Sequence, residues 1–220
     1  AFEFKDCLNL EKIGNTYFGI QAYDRKSSIS TTKENDNFIP IIDGADVFRY
    51  QFSNSNKFFN YVVENIKSGG DWNIYLKERI VIRQIGQTPV VGYSYSKILT
   101  SNTIYNLYLT NDDFNLKYVF AVLNSNLMKS FWMAKYNDNK DLFPKIKGYQ
   151  LKQLPIKIAD EQIQKPFVVK TNVMLSLNKE LKEQSQKFQR TIQRKFNLED
   201  LPKKLQDWYL LTYADFIKEL

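Results

Sequence analysis

The sequence predicts an α+β fold in two parts: a β-rich domain with a mixed or antiparallel sheet over residues 1–158, and a helical region over residues 159–220. In the first part, short apolar segments alternate with polar residues and end at glycine, asparagine or aspartate, which is typical of strands joined by turns. In the last third, apolar residues recur three, four and seven positions apart, which indicates a long helix with one apolar stripe. The 220 residues, 43% of them hydrophobic, suffice to bury a core.

The predicted elements of the first part follow this alternation in chain order. Short strands and turns are expected from Phe2 to Arg25, and the polar run Ser27–Asn37 is expected to form a mobile loop. Further strands are predicted at Phe38–Ile42, Val47–Phe52, Arg79–Ile85, Val90–Tyr93 and Thr103–Thr110. Helices are predicted at Asn56–Lys67, at Phe114–Leu123 with Asp112 and Asp113 as caps, and at Leu127–Lys135.

The helical region begins with an apolar stripe that runs from Asp160 to about Phe196. A helix of this length spans about 50 Å at about 1.5 Å per residue, which is longer than one small core can cover. We expect the stripe to pack on a shorter returning helix over Leu198–Leu220, or on a partner domain or chain, and the sequence leaves both arrangements open. In either case the region resembles a coiled coil that serves as a spacer, a dimerisation element or a docking element.

Charge favours a polyanionic partner. The chain carries 31 Lys and Arg against 24 Asp and Glu, a formal net charge of +7. The stretch Lys117–Lys157 alone has eight lysines against two aspartates, Asp138 and Asp141, and is therefore a candidate for contacts with phosphates.

Missing residues exclude several chemistries. The chain has no histidine and a single cysteine, Cys7, which excludes His/Cys zinc sites, Ser-His-Asp and Cys-His catalysis and disulfide scaffolds, while metal sites made of carboxylates alone remain open. It also lacks a glycine-rich cofactor loop, an Asn-Pro-Pro-Tyr sequence and an Asp paired with Glu-x-Lys or Asp-x-Lys. We therefore expect these residues to be non-catalytic and to hold no cofactor or metal.

Two expectations concern the context of the chain. No apolar run approaches the ~20 residues of a membrane span, and the N-terminus is no signal peptide, so we expect a cytoplasmic protein without a membrane partner. The sequence begins without Met, and we expect it to be a piece of a longer protein.

The segment Glu78–Tyr93, ERIVIRQIGQTPVVGY, is the most informative candidate for recognition. Its β-branched apolar run predicts a rigid strand, and its polar side chains are Arg79, Arg83, Gln84 and Gln87. Arg and Gln offer forks of hydrogen-bonding atoms that match the edges of guanine and adenine. The alternative is an ordinary half-buried strand with Arg and Gln on its wet side.

Five landmarks in order resemble a known family. They are GIQAYDR (Gly19–Arg25), DGADVFRY (Asp43–Tyr50), the RQIGQTP core of the segment above, VFAVLNSNLMKSFW (Val119–Trp132) and GYQLKQLPI (Gly148–Ile156). Together they resemble the TaqI-like C-terminal specificity domain, or target-recognition domain, of type IIG restriction-modification methyltransferases, and more distantly the specificity subunits of type I restriction systems.

The resemblance implies a task and partners. Such a domain binds double-stranded DNA and positions a catalytic domain, of the same chain or of a partner subunit, that methylates adenine at N6 and in some members also acts as an endonuclease. S-adenosylmethionine, with Mg²⁺ as a second candidate, would then bind in that catalytic domain. A dimer formed through the long helix is a further expectation, and a helical protein-interaction module without direct DNA reading is the alternative function.

The candidate DNA contacts are side chains with forked donors, positive charge or an aromatic ring near the landmarks. They are Gln21, Arg25, Lys26, Arg49, Tyr50, Arg79, Arg83, Gln84, Gln87, Lys145 and Lys147. Three of them have an alternative, since Arg49, Arg79 and Arg83 could instead form ion pairs with Asp43, Asp46 or Glu78.

Overall fold

A computed structural model describes residues 4–53, 56–95, 97–136, 144–206 and 208–220. It confirms the α+β class, with antiparallel sheets in the first part and a long helix in the last third. Two compact units are present, Ala1–Met174 and Leu175–Leu220, so the division falls inside the long helix. The boundary that we predicted at residues 158 and 159 stays a prediction.

The strands and helices are numbered here in chain order. The strands are β1 Cys7–Asn9, β2 Gly14–Phe18, β3 Gln21–Ala22, β4 Ile29–Ser30, β5 Phe38–Ile42, β6 Val47–Phe48, β7 Gln51–Phe52, β8 Phe58–Asn60, β9 Ile66–Ser68, β10 Arg79–Arg83, β11 Val91–Ser94, β12 Leu99–Thr100, β13 Ile104–Leu109 and β14 Pro155–Lys157. The α-helices are α1 Arg25–Ser28, α2 Trp72–Tyr75, α3 Leu116–Leu123, α4 Asn126–Tyr136, α5 Gly148–Lys152, α6 Glu161–Lys195, α7 Lys203–Gln206 and α8 Tyr213–Glu219.

The first unit contains two four-stranded sheets. One is antiparallel with the order β11-β10-β13-β2, and the other has the order β12-β5-β8-β4 with a parallel pair between β12 and β5. β10 pairs along both edges, and its residues from Arg79 to Ile82 are buried, so that both of its faces are covered. Val81 packs with Ile42, Val47 and Ile104 in a buried cluster. This burial on both faces explains the continuous apolar run of the sequence.

The start of α6 is fastened to the first unit by buried polar side chains. The Gln164 amide nitrogen donates to the carbonyls of Asp113 (2.7 Å) and Ala159 (2.8 Å), and its oxygen accepts from the Asn115 backbone N–H (2.7 Å). About two turns further along the helix, the hydroxyl of Thr171 donates to the Lys117 carbonyl (3.1 Å). These bonds pair the buried polar side chains of Gln164 and Thr171, as buried polar groups require. They connect the first turns of α6 with the start of α3, in agreement with a first unit that extends to Met174.

The predicted helix over Asn56–Lys67 is wrong. This segment forms β8, a 3-10 turn at Val63–Asn65 and β9. Phe59 is buried because β8 lies between β4 and β5, where Phe59 is opposite both Ile29 and Ile39. Apolar residues at positions 58, 59, 62, 63 and 66 fit a helical period, but pairing with two distant strands decided the structure.

Two other predicted segments of the first part are also corrected. The run Ser27–Asn37 is not all loop, since α1 and β4 extend to Ser30 and Asp24 caps α1 by accepting the Lys26 N–H at 2.9 Å. The strand predicted over Val47–Phe52 is a hairpin of β6 and β7, bent at Tyr50, whose φ of 70° lies in the left-handed region.

In the second unit the returning segment is not one helix. It consists of α7, a 3-10 turn at Trp208–Leu210 and α8, because Pro202 precedes α7 and Thr212 caps α8 by accepting the Asp215 N–H. The segment still packs on the end of α6: the Trp208 indole N–H donates to the Ser185 hydroxyl at 3.0 Å. Among the described residues, no helix is both long enough and apolar enough to cross a membrane.

Candidate nucleic-acid interface

The chain that leaves β10 pairs with a later segment rich in lysine. The Ile146 N–H donates to the Gln84 carbonyl (2.8 Å), and the Gly86 N–H donates to the Pro144 carbonyl (3.0 Å). A bridge between Ile85 and residue 145 completes this short antiparallel contact. It brings together three predicted DNA contacts that are distant in sequence, Gln84, Lys145 and Lys147.

Aromatic residues contact the lysine segment, residues 144–147, and lie at its border. The Tyr105 hydroxyl donates to the Ile146 carbonyl (3.1 Å), and its ring lies 4.3 Å from that of Phe18. Phe18 is 44% exposed and Tyr149 is 56% exposed, with the Lys147 ammonium 5.9 Å from the Tyr149 ring. Phe18 and Tyr149 were not among the predicted contacts, although each lies beside a glycine at the end of an element.

A carboxylate joins two cations at the turn after β5. One terminal nitrogen of Arg25 donates to both oxygens of Asp43 (2.8 and 2.7 Å), and the Lys57 ammonium donates to the same carboxylate (2.8 Å). Burial raises the pKa of Asp43, but hydrogen bonds from Lys57, Ser101 and Arg25 outweigh it and hold the pKa below its ordinary value. Asp43 is therefore ionised at neutral pH.

This turn lies directly against Arg83 at the end of β10. The Gly44 N–H donates to the Thr103 hydroxyl (2.8 Å), and the Gln84 N–H donates to the Thr103 carbonyl (2.9 Å). A Cβ atom on Gly44 would lie 3.0 Å from that carbonyl and 3.5 Å from Cγ of Arg83. The turn, the end of β10 and the lysine segment thus form one continuous region.

We call the cationic side chains of this region the basic surface. Its members are Arg25, Lys57, Arg83, Lys145 and Lys147. Within the described ranges of the chain, Arg83, Lys145 and Lys147 form no ion pair, while Arg25 and Lys57 share Asp43. Such a surface offers three cations to phosphate oxygens without first breaking an ion pair.

Gln21, Lys26 and Gln87 are exposed, as expected for contacts. Gln21 and Arg25 line a depression of about 180 Å³ together with Asn102, so the structure brings these two candidates together. Lys26 follows Arg25 in α1, and Gln87 lies in the loop between β10 and β11.

Arg49 and Tyr50 make their contacts elsewhere, at the turn between α3 and α4. Arg49 donates to the Asn124 carbonyl and lies 5.3 Å from the ring of Tyr50, whose ring in turn packs edge-on against Phe120. Arg49 also borders a depression of about 140 Å³ shared with Thr88. Arg49 keeps an exposed position near the loop after β10, whereas Tyr50 is half-buried and serves mainly as a packing residue.

Arg79 is not a DNA contact, and this expectation is corrected. Its side chain is 0% exposed. Its guanidinium donates to the Asn106 side chain (3.0 Å) and to the carbonyls of Tyr75 (3.3 Å), Lys77 (3.2 Å) and Ile98. Burial lowers the pKa of Arg79 to about 10, so the group remains charged at pH 7 while carbonyl oxygens take the place of water.

Carboxylate-only metal sites were left open by the sequence. Among the residues that the structure describes, no three acidic or cysteine side chains lie close enough together to hold a metal ion.

Comparison with protein families gives two adjoining matches. The model of the TaqI-like C-terminal specificity domain matches residues 39–156. A second model, a domain of unknown function (DUF8810), matches residues 160–220. Comparison with curated protein sequences gives no match.

Solved structures of low sequence identity share the fold. The HsdS subunit from Thermoanaerobacter tengcongensis has a TM-score of 0.51 at 11% identity over 83% of this chain and 40% of that one. The S subunit of a type I restriction-modification system from M. genitalium has a TM-score of 0.52 at 13% identity over 95% and 49%. A chain from a structure of type I restriction-modification complex assembly has 0.52 at 12% identity over 88% and 44%. The present chain therefore spans less than half the length of these proteins.

Proposed function

Because this chain belongs to the TaqI-like C-terminal specificity domain family, we propose that it binds duplex DNA and reads the target sequence of a restriction-modification system. The observation that carries the proposal is the basic surface at the end of β10. There, cations for which the described residues show no ion pair lie beside Gln84, at the end of a strand that is hydrogen-bonded on both sides. In protein–DNA complexes, contacts with the phosphates of the DNA give affinity and orientation, and contacts of a few forked side chains with base edges give specificity.

The structure supports a division of labour within this region. Lys145 and Lys147 are exposed ammonium groups, and compact charges of this kind suit phosphate oxygens. Arg83, Gln84 and Gln87 carry forked donors and acceptors and suit base edges. Strand β10 holds the first of them in place, because it is hydrogen-bonded to β11 and β13.

The catalytic partner is part of the proposal. We propose that a separate domain, of the same chain or of a partner subunit, methylates adenine at N6 and binds S-adenosylmethionine, and that Mg²⁺ serves an associated endonuclease. The resemblance to type IIG and type I systems supports this assignment. The role of the present residues is to bring that domain to its site on DNA.

The full 220-residue chain is expected to enrich one sequence motif from a pool of randomised duplexes at low salt. Affinity for that motif should fall steeply as salt rises, because each neutralised phosphate contributes about 0.9 to the slope of log K against log salt. Changing Lys145 and Lys147 together to alanine should reduce the slope by about 2. Fluorescence anisotropy across a salt series measures both quantities.

Changing Lys165 and Lys170 to alanine is the matched control, since these exposed lysines lie on α6 and their loss removes the same charge. The control should leave the slope closer to that of the unmodified chain. A folded chain that binds no duplex at low salt would exclude the proposed function.

A second candidate function rests on α6. Leu177 and Leu181 lie one helical turn apart in the second unit and are 53% and 51% exposed, although both are large apolar residues. Exposed apolar residues at this spacing are typical of a helix that pairs with another helix. Such a helix would mediate assembly, and this role is compatible with DNA reading by the first unit.

Changing Leu177 and Leu181 to lysine is expected to convert any self-associated form of the chain to monomer, because two ammonium groups cannot be buried in an apolar helix interface without a large cost in free energy. Light scattering after size exclusion measures the mass. Changing Asn172 and Ser176 to lysine instead, at the same spacing on a polar face, should leave the mass unchanged. If the unmodified chain is already a monomer at high concentration, self-association through α6 is ruled out.

A further inference from the structure

Asp43 is the one acidic side chain bound to the basic surface, as far as the described residues show, and it holds two of its five cations. Its side chain is 17% exposed, whereas those of Arg25 and Lys57 are 51% and 45% exposed. The carboxylate is therefore more buried than the two cations that it binds, and both of those side chains remain accessible to solvent. This arrangement orients both groups before any ligand arrives.

The geometry leaves donors of Arg25 for a ligand. Both Asp43 oxygens accept from the same terminal nitrogen of Arg25. A guanidinium has five N–H donors, and among the described parts of the chain its Nε and second terminal nitrogen make no hydrogen bond. An arginine fixed in this way keeps a free edge for a planar acceptor such as a base or a phosphate.

The support for Asp43 is rigid. The Asp46 carboxylate accepts the Asp43 backbone N–H (2.8 Å), and the Asp43 carbonyl accepts the Asp46 N–H (2.9 Å). These two bonds use the backbone of Asp43 and do not require the charge of its side chain, which also belongs to the capping box with Asp46 and accepts a hydrogen bond from Ser101. Arg25 and Lys57, by contrast, bind the carboxylate itself, so its charge contributes directly to their positions.

We infer that Asp43 is a positioning residue that sets sequence discrimination, by fixing Arg25 and Lys57 and by offsetting part of the positive charge that attracts any DNA. This inference rests on the proposed function. Long cationic side chains that no carboxylate holds sample many rotamers and bind phosphates in duplexes of any sequence. Held by Asp43, they present fewer geometries, and only a duplex with matching acceptors uses them fully.

The test is Asp43→Asn, which keeps the size of the side chain and the backbone bonds of the turn but removes the charge that holds both cations. Two duplexes are compared by anisotropy: the motif enriched from the randomised pool, and a scrambled duplex of the same composition. The net charge changes from +7 to +8, so the scrambled duplex should bind at least as tightly as before. For the scrambled duplex, the slope of log K against log salt should be steeper by up to about 0.9. The ratio of the two affinities should fall by about tenfold.

Two further variants separate positioning from simple charge. Asp36→Asn removes the same charge from an exposed loop, where Asp36 pairs with Lys33, and should leave the ratio unchanged. Asp43→Glu restores the charge and should recover part of the ratio. If Asp43→Asn fails to fold, Arg25→Gln gives the test instead: it should lower the ratio without raising affinity for the scrambled duplex.

The outcomes distinguish the inference from the function on which it rests. If Asp43→Asn weakens binding to both duplexes by the same factor, or leaves their ratio unchanged, the positioning role is overturned and DNA recognition stands. If the unmodified chain prefers no sequence at all, the proposed function itself has failed.

Discussion

Replacing Arg79 with methionine is expected to lower the free energy of unfolding of the first unit by about 3–5 kcal/mol, the range found when a buried charge network is broken. The guanidinium binds the Asn106 side chain and the carbonyls of Tyr75, Lys77 and Ile98. Without it the Asn106 oxygen would stay buried and lose this donor, whereas the Tyr75 carbonyl would keep the Lys97 N–H (2.9 Å). Such a loss is a large share of the ~5–15 kcal/mol that stabilises a typical domain. Urea denaturation followed by circular dichroism measures it.

The matched control lies at the other end of the same strand. Arg83→Met removes the same charge from β10, but the Arg83 side chain is half-exposed, so the stability change should stay below about 1 kcal/mol. Arg79→Lys should also destabilise, because one ammonium cannot reach acceptors placed around a planar fork. Equal stability of Arg79→Met and the unmodified chain would mean that the buried network contributes nothing to the fold.

Replacing Arg83 with alanine is expected to reduce discrimination between the enriched motif and its single-base variants by about 5- to 150-fold at one position. This range corresponds to the ~1–3 kcal/mol of a forked contact with a base. Arg83 is the arginine of the basic surface that lies on a strand paired on both sides, so its Cα position is fixed. Competition binding with a panel of duplexes, each changed at one base pair, measures the effect.

Arg83→Lys is the informative companion variant. It keeps the charge and therefore the salt slope, but it lacks the fork and should lose discrimination as the alanine variant does. If Arg83→Ala instead weakens binding to every duplex of the panel by one factor, Arg83 contacts a phosphate and the base reader lies elsewhere. Equal urea midpoints for the three proteins would show that the comparison concerns binding and not stability.

Local periodicity was a good guide where one element carries its own pattern. The helix predicted from Asp160 to about Phe196 is present as α6, Glu161–Lys195, because its stripe repeats through many turns and needs no distant partner to be recognised. The strand at Arg79 and the helices α3 and α4 were found for the same reason, although the residue that caps α3 is Asn115 and the predicted caps Asp112 and Asp113 were wrong. Runs of only a few apolar residues, such as Phe58 to Ile66, are compatible with either period, and there the prediction was wrong.

The candidate site divides in the same way. Arg83, Gln84 and Gln87 were predicted as contacts from one segment, and Lys145 and Lys147 were predicted from another. The structure brings the two segments together through hydrogen bonds between residues 84–86 and 144–146. Lys57 was missed, because it lies in the segment that we predicted as a helix and nothing in the sequence connects it with Asp43. Its ion pair spans 14 positions and depends on how β5 and β8 pair.

The sequence by itself determined the α+β class, the long helix and the identity of the strand at the centre of the region. These features depend on local spacing and on which residues are apolar. Only the tertiary structure decided that Arg79 is buried and Arg83 half-exposed, although both are arginines on the same face of one strand. The reason is physical: burial depends on what packs against each position, and Asn106 and three carbonyls converge on Arg79 from β13, the α2 region and the chain before β12. No local pattern of residues specifies such a convergence.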